Sequence, residues 1–175
     1  GEHAHILGEL DGKGIDVPVM DGEIGRASAL KMVYAALSKG TAALYASTLM
    51  TAKSLGVYGD LIQELEMSQS KTLASMASVN SISSKAFRWI GEMEEIAATL
   101  GAAGLPEGFH LGAAELFKLL NKTPIASETR ETIDPSRTLE DVLSIYAQTV
   151  ECVGSHPVRE HVETNLVAQP LTAEA

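Results

Sequence analysis

The stretch Gly22-Glu23-Ile24-Gly25-Arg26-Ala27-Ser28-Ala29-Leu30-Lys31-Met32-Val33-Tyr34-Ala35 decides how the rest of the chain is read. A glycine-bearing turn runs into the most apolar long segment of the sequence, and one lysine sits two turns inside it. From Ile24 to Gly59 there is no Asp or Glu, while Arg26, Lys31, Lys39 and Lys53 are cationic. In a chain of formal net charge −10 that is a local reversal of sign. A cation on a buried helix is costly unless a polar or anionic group meets it, so Lys31 is the residue to explain.

The segment Ile24 to Leu55 is mostly Ala, Leu, Met, Ser and Thr. Leu30, Val33, Leu37, Gly40 and Leu44 recur at helical spacing, and Met32, Ala36, Ala43, Ala46 and Met50 form a second stripe beside them. Apolarity on two sides predicts a helix buried between neighbours. At 1.5 Å per residue it is roughly 45 Å long, more than a compact domain of this size needs. That excess predicts a helix reaching into a second subunit, so a homodimer is expected. Gly56 has the position of a C-terminal helix terminator.

Downstream, apolar periodicity predicts helices over Asp60 to Ser70, Lys71 to Asn80, Lys85 to Leu100 and Glu107 to Asn121. In the third of these Phe87, Trp89, Ile90, Met93, Ile96, Ala97 and Leu100 are expected inward, and in the fourth Phe109, Ala113, Leu116, Phe117 and Leu120. Residues Ala126 to Arg137 read as polar turns. A last helix starts at Thr138-Leu139-Glu140-Asp141, capped by Thr138 or Ser136, and carries Val142, Leu143, Ile145, Tyr146 and Val150 inward. Upstream, Gly1 to Leu10 reads as a short helix with Ile6, Leu7 and Leu10 on one side. Ile15 to Met20 alternates β-branched residues as a strand does. The expected class is therefore all-α, a bundle around one long helix, with a short α/β piece at the N-terminus. Its divisions are 1–20, a helical domain over 21–153, and a tail from 154 to 175 that reads as extended or mobile.

At 175 residues and 18.5 kDa the chain can hold one domain with a real core. Its one cysteine, Cys152, excludes an internal disulfide framework and, with no signal-peptide pattern, points to a cytoplasmic setting. No uninterrupted apolar run is long enough to span a bilayer. The acidic balance, with a pI near 4.9, argues against nucleic acid and anionic membranes as partners.

On the long helix Ser28, Lys31, Ala35 and Ser38 share a face. Small residues flanking the lysine leave room for a ligand, and partial desolvation there would make Lys31 a proton carrier near neutrality. Residue chemistry alone equally accommodates a lysine that snorkels to solvent or pairs with an acid on a neighbouring helix, and it favours that second reading. Glu92 and Glu95 lie one and two turns after Arg88. They could act as an acid pair or a metal ledge, or as partners of Lys31, but Arg88 with Glu92 as a helical ion pair is the preferred reading. His110 could face a ligand cavity or simply be packed and hydrogen-bonded. His3, His5, His156 and His161 lack the spacing of a metal site, Cys152 reads as structural, and no phosphate-cradling glycine motif is present.

The pattern Gly22-x-x-Gly25-x-Ala27-x-x-x-Lys31-x-x-x-Ala35 resembles the head of the interdomain helix in β-hydroxyacid dehydrogenases. That family, which includes the 3-hydroxyisobutyrate and 6-phosphogluconate dehydrogenases, carries Gly-x-x-Gly-x-Gly-x-x-x-Lys-x-x-x-Asn there. Ala27 to Met32, Arg88-Trp89 and Gly91 to Ala97 are similar to a branch whose C-terminal domain is called phosphogluconate dehydrogenase-like. The resemblance spans about Gly1 to Asn121. It implies a helical 6-phosphogluconate dehydrogenase-type C-terminal domain of an NAD- or NADP-dependent oxidoreductase acting on a small-molecule substrate. Gly1 to Met20 would then be the last helix and strand of an upstream dinucleotide-binding domain, and the 175 residues alone a half-site without turnover. By the same resemblance Lys31 is the catalytic acid/base, Gly25 approaches the cofactor, and Ser28, Ala35, Ser38 and His110 line the substrate. Ala27 and Ala35 replace the family's glycine and asparagine, so its hydroxyacid specificity does not transfer. Two other readings stand beside it: a non-catalytic helical dimerisation module, and an imine or ketone reductase of related fold.

Overall fold

The computed structural model describes residues 3–129 and 131–153; the expected tail lies outside the described residues. These residues form helices α1 (Ala4–Leu7), α2 (Arg26–Ser54), α3 (Tyr58–Ser68), α4 (Ser70–Met76), α5 (Ser83–Ala102), α6 (Gly108–Leu120) and α7 (Leu139–Val153). Three short 3-10 turns, Gly8–Leu10, Ala77–Ser81 and Pro124–Ser127, lie between them. The class is all-α, and no helix of the described residues is long and apolar enough to cross a membrane.

Local chemistry sets the limits of α2. Gly25 precedes it with φ +100°, a left-handed conformation that side chains with a Cβ rarely adopt. The Gly25 carbonyl then accepts from the Ala29 N–H at 2.9 Å, the first bond of the helix. At the other end Gly56 (φ +74°) closes a Schellman turn. The Val57 N–H reaches the Ala52 carbonyl at 2.9 Å and the Gly56 N–H reaches that of Lys53 at 3.2 Å. Helix α7 is capped by Thr138. Its Oγ1 accepts from the Asp141 N–H at 3.2 Å, and the Asp141 carboxylate accepts in return from the Thr138 N–H at 2.9 Å.

The core lies where α5, α6 and α7 meet the inward stripe of α2. Ala35, Ala42, Ala43, Ala46 and Leu49 of α2 are buried with Met93, Ile96, Phe117, Leu120, Leu143 and Tyr146. Alanine on α2 lets the neighbouring backbones approach, and the large side chains come from the opposing helices. The Tyr146 hydroxyl donates to the Val79 carbonyl at 3.3 Å, which anchors α7 to the 3-10 turn before α5.

Several expectations need correction. Of the two apolar stripes on α2 the second packs inward, and of the first only Gly40 is buried. Leu30, Val33, Leu37 and Leu44 are exposed: Leu30 and Val33 precede Ala35, the first buried residue of α2, and Leu37 and Leu44 lie on the side of the helix away from buried Ala42, Ala43 and Ala46. Among the described residues, no neighbour buries residues 26–31 of α2, and packing on the core begins at Met32. The strand expected at Ile15 to Met20 is not formed: a lone bridge joins Asp11 to Ile15, and no strand lies alongside to make a ladder. Ile6, Leu7 and Leu10 are exposed as well, so the first helix buries no apolar face within the chain. Phe87, Phe109 and Val150, expected inward, sit at the surface, each on the rim of a shallow cleft.

Candidate functional site

Lys31 stands on the part of α2 that runs clear of the bundle. Ser28, Lys31 and Ser38 are exposed and Ala35 is buried, so these four occupy one helical face as expected, at the edge of the core. The Ser38 hydroxyl donates back to the Ala35 carbonyl at 3.5 Å. Beside Ser38 a cleft of about 490 Å³ opens between α2 and α4, walled by Tyr34, Ser38, Thr41, Tyr45 and Ser75. Its hydroxyl groups could orient a polar ligand. Lys31 lies two turns before Ser38 on the same face, outside that wall, since seven residues bring a helix nearly back to the same azimuth.

His110 is buried and packs elsewhere. Its Nε2 lies 3.4 Å from the Ala36 carbonyl oxygen, and Gly40 gives it room: a Cβ there would come within 3.3 Å of Nε2 and 3.0 Å of the Phe109 ring. Ala36 and Gly40 are well round the helix from Lys31 at about 100° per residue. His110 and Lys31 therefore address different flanks of α2. The other ring nitrogen, Nδ1, is buried without a hydrogen-bond partner among the described residues. Gly25 lies in the exposed turn before the helix, six residues ahead of Lys31.

The most enclosed cation of α2 is Lys39, which residue chemistry did not single out. Its ammonium pairs with the Glu92 carboxylate of α5 and lies 5.8 Å from the Trp89 ring centroid. Trp89 in turn meets Phe117 edge-on at 5.3 Å. Burial lowers the proton affinity of Lys39, and repulsion from Lys31 and then Arg88 lowers it further. This replaces two expectations. Glu92 serves Lys39 rather than Lys31, and the ion pair of Glu92 runs between helices rather than to Arg88 within α5. Glu95, one turn beyond, is exposed. The signal was present in the sequence: Lys39 falls three and four residues from Ala36, Ala35 and Ala43, on the stripe that faces the core.

His3 and His5 stand with ring centroids 6.4 Å apart at the N-terminal turn. Among the described residues no group of three or more His, Cys, Asp or Glu side chains is placed to hold a metal ion. His156, His161 and the Cys152 side chain lie outside the described residues.

A family model described as "Domain of unknown function (DUF1932)" matches residues 52–120, from the end of α2 through α6. That domain is the C-terminal domain of NAD(P)-binding 6-phosphogluconate dehydrogenase-like proteins, in agreement with the resemblance carried by the residues. Arg88, Trp89, Glu92 and His110 fall inside the match, while Gly25, Lys31 and Lys39 precede it. No curated protein and no solved structure matches the chain.

Proposed function

We propose that this chain, whose residues 52–120 carry that domain, is the helical substrate and dimerisation part of an NAD(P)-dependent oxidoreductase of the β-hydroxyacid dehydrogenase type. The observation that carries the reading is the presentation of Lys31. It is solvent-exposed on a helix that outruns its bundle, two turns after a left-handed glycine, where a dinucleotide-binding domain and a substrate can close over it. In that role Lys31 gives a proton to the oxygen of a carbonyl being reduced, or takes it from an alcohol being oxidised, while hydride passes between the substrate carbon and the nicotinamide. The cofactor supplies the hydride chemistry. Ser28 and Ser38 flank the lysine as substrate-orienting hydroxyls, and Gly25 leaves the helix N-terminus open to the cofactor. His110, on another flank of α2, positions α6 against α2 through Ala36 and Gly40.

The same exposed segment supports a homodimer. Leu30, Val33, Tyr34, Leu37 and Leu44 form an unpartnered apolar face of the kind that a second copy covers. The experiment is Lys31→Met in the full-length protein, screened with hydroxyacids, ketones and cyclic imines and either nicotinamide cofactor. Loss of turnover with an unchanged circular dichroism spectrum is expected. Undiminished turnover would remove Lys31 from the chemistry, and absence of turnover in the wild type with every substrate and cofactor would leave the non-catalytic dimerisation reading.

A further inference from the structure

The exposed side of α2 changes shape along its length. In the N-terminal half it is a ridge: Leu30, Val33 and Leu37 stand out at helical spacing, and Ile24 just before the helix is 92% exposed. In the C-terminal half the same side is the floor of a trough. A cleft of about 410 Å³ lies there between α2 and α3, lined by Ser47, Thr48, Thr51, Leu55, Val57 and Leu61. A second cleft, of about 470 Å³, shares Ser47 and Thr51 and is walled by Leu116 of α6 and Val150 of α7. At about 100° per residue Leu30, Leu37, Leu44, Thr48, Thr51 and Leu55 all fall within about 60° of one another, so ridge and trough are two halves of one strip. A two-fold interface brings the same patch of each copy together, and the patch must therefore complement itself. Parallel helices would set ridge on ridge and trough on trough. Antiparallel helices set ridge in trough at both ends. Charge selects the same orientation. A parallel pair would bring the two Arg26 side chains together on helices that have no Asp or Glu between Ile24 and Gly59. An antiparallel pair lays Arg26 at the carbonyl end of the other α2, an end that favours cations. There α3 begins and presents Asp60 and Glu64, both exposed and neither in a salt bridge among the described residues.

We infer that two copies of the chain pair through antiparallel α2 helices about a two-fold axis near Thr41, with Leu37 against the partner's Leu44 and Leu30 entering the trough at the partner's Thr51. The inference rests on the homodimer part of the proposed function, and gives that dimer an orientation and a register. Lys31 stands about 100° round the helix from Leu30, at the edge of the paired strip. It therefore borders the C-terminal half of the other α2 without being covered by it, and stays open to a ligand.

The test is sedimentation equilibrium of the full-length protein and three variants, each checked for an unchanged circular dichroism spectrum. The wild type is expected to be a dimer. Leu37→Lys and Leu44→Asp should each weaken it roughly a hundredfold or more, because an unpaired charge is then buried at both symmetric contacts. In the antiparallel register the double variant Leu37→Lys/Leu44→Asp sets opposite charges against each other at both contacts and should recover most of that loss. In a parallel pair it sets like against like and stays monomeric. The two positions lie roughly 10 Å apart along their own helix, too far for the rescue to arise within one chain. A photo-crosslinking residue at position 30, in a mixture of isotopically light and heavy copies, should link one copy to residues 47–57 of the other. A double variant no more dimeric than the single ones, or links to residues 24–37 of the other copy, overturns the antiparallel register. Wild-type affinity in both single variants shows that another surface joins the copies, and links confined to one chain give the ridge to another part of the same protein; either overturns the inference. A monomeric wild type overturns it together with the homodimer part of the proposed function, while the Lys31→Met experiment still decides the chemistry. A dimer of the expected register whose Lys31→Met variant keeps its turnover overturns only the proton-transfer reading.

Discussion

Breaking the Lys39–Glu92 pair should destabilise the protein by a measurable and attributable amount. The Lys39 side chain keeps 18% of its exposure and that of Glu92 35%, so the pair is neither a surface contact nor a dry one. Exposed pairs contribute about 0–1 kcal/mol, and removing one partner of a fully buried pair costs about 3–5 kcal/mol. An intermediate site places the coupling near 1–2 kcal/mol. Glu92→Gln should carry most of it, because it strands an ammonium that burial, Lys31 and Arg88 already disfavour. Lys39→Met leaves a carboxylate that water can still reach, and should cost less. The assay is a double-mutant cycle of Glu92→Gln and Lys39→Met by urea unfolding. Its pH dependence has a fixed sign. Lys39 holds its proton less tightly in the folded state than at the ordinary value of 10.5, so its charge opposes folding below its folded pKa. That cost fades as pH rises from the folded value toward 10.5, and wild type should gain on Lys39→Met across that window. A coupling below about 0.3 kcal/mol, the scatter of independent sites, would refute the interhelical pair.

Two further outcomes follow from the turns and loops. Gly56→Ala should cost about 1–2 kcal/mol, since φ +74° places a Cβ in the left-handed region; an unchanged thermal midpoint would mean that the Schellman turn does not need it. Arg137 donates to both carboxylate oxygens of Glu128 at 2.5 and 2.7 Å, which holds the Glu128 pKa below its ordinary 4.5. The stability this adds is present above that ordinary value and is lost as pH falls through the folded value. The advantage of wild type over Arg137→Met should therefore shrink on acidification below 4.5, and a constant difference would show that Glu128 keeps its proton affinity on folding.

What was legible in the sequence was what short range decides. Gly56 ends α2 and Thr138 caps α7 because a left-handed turn and a hydroxyl at the helix start act within a few residues. The unbroken apolar periodicity of residues 26–54 fixed one long helix for the same reason. Ile15 to Met20 misled because alternation describes a strand only when another strand offers its backbone, and that partner is not a local property. The stripes on α2 misled differently. Both are apolar, and hydrophobicity alone favours the leucine and valine side, yet the alanine side faces in because α5 and α6 supply the bulk. Phe87 and Phe109 follow suit: size made them core candidates, while the cleft rims they occupy are set by which neighbours reach them.

The two lysines of α2 carry the remaining point. Lys31 and Lys39 are eight residues apart on one acid-free helix, and from composition they are interchangeable. What separates them is where the bundle begins. Ala35 is the first buried residue of α2; the lysine before it is exposed, and the lysine after it is half-enclosed against Trp89 and paired to Glu92. Lys39 thus has an internal counter-ion and a structural task. Lys31 has neither among the described residues; under the proposed proton-transfer role, the group that desolvates it comes from outside them. The proposed proton transfer requires enclosure that these residues do not give Lys31, so that proposal entails a site assembled between parts. The exposed Leu30, Val33 and Leu37 on the same two turns are the apolar surface that the proposed second copy would cover, so a monomer in solution at micromolar concentration would count against that part of the proposal.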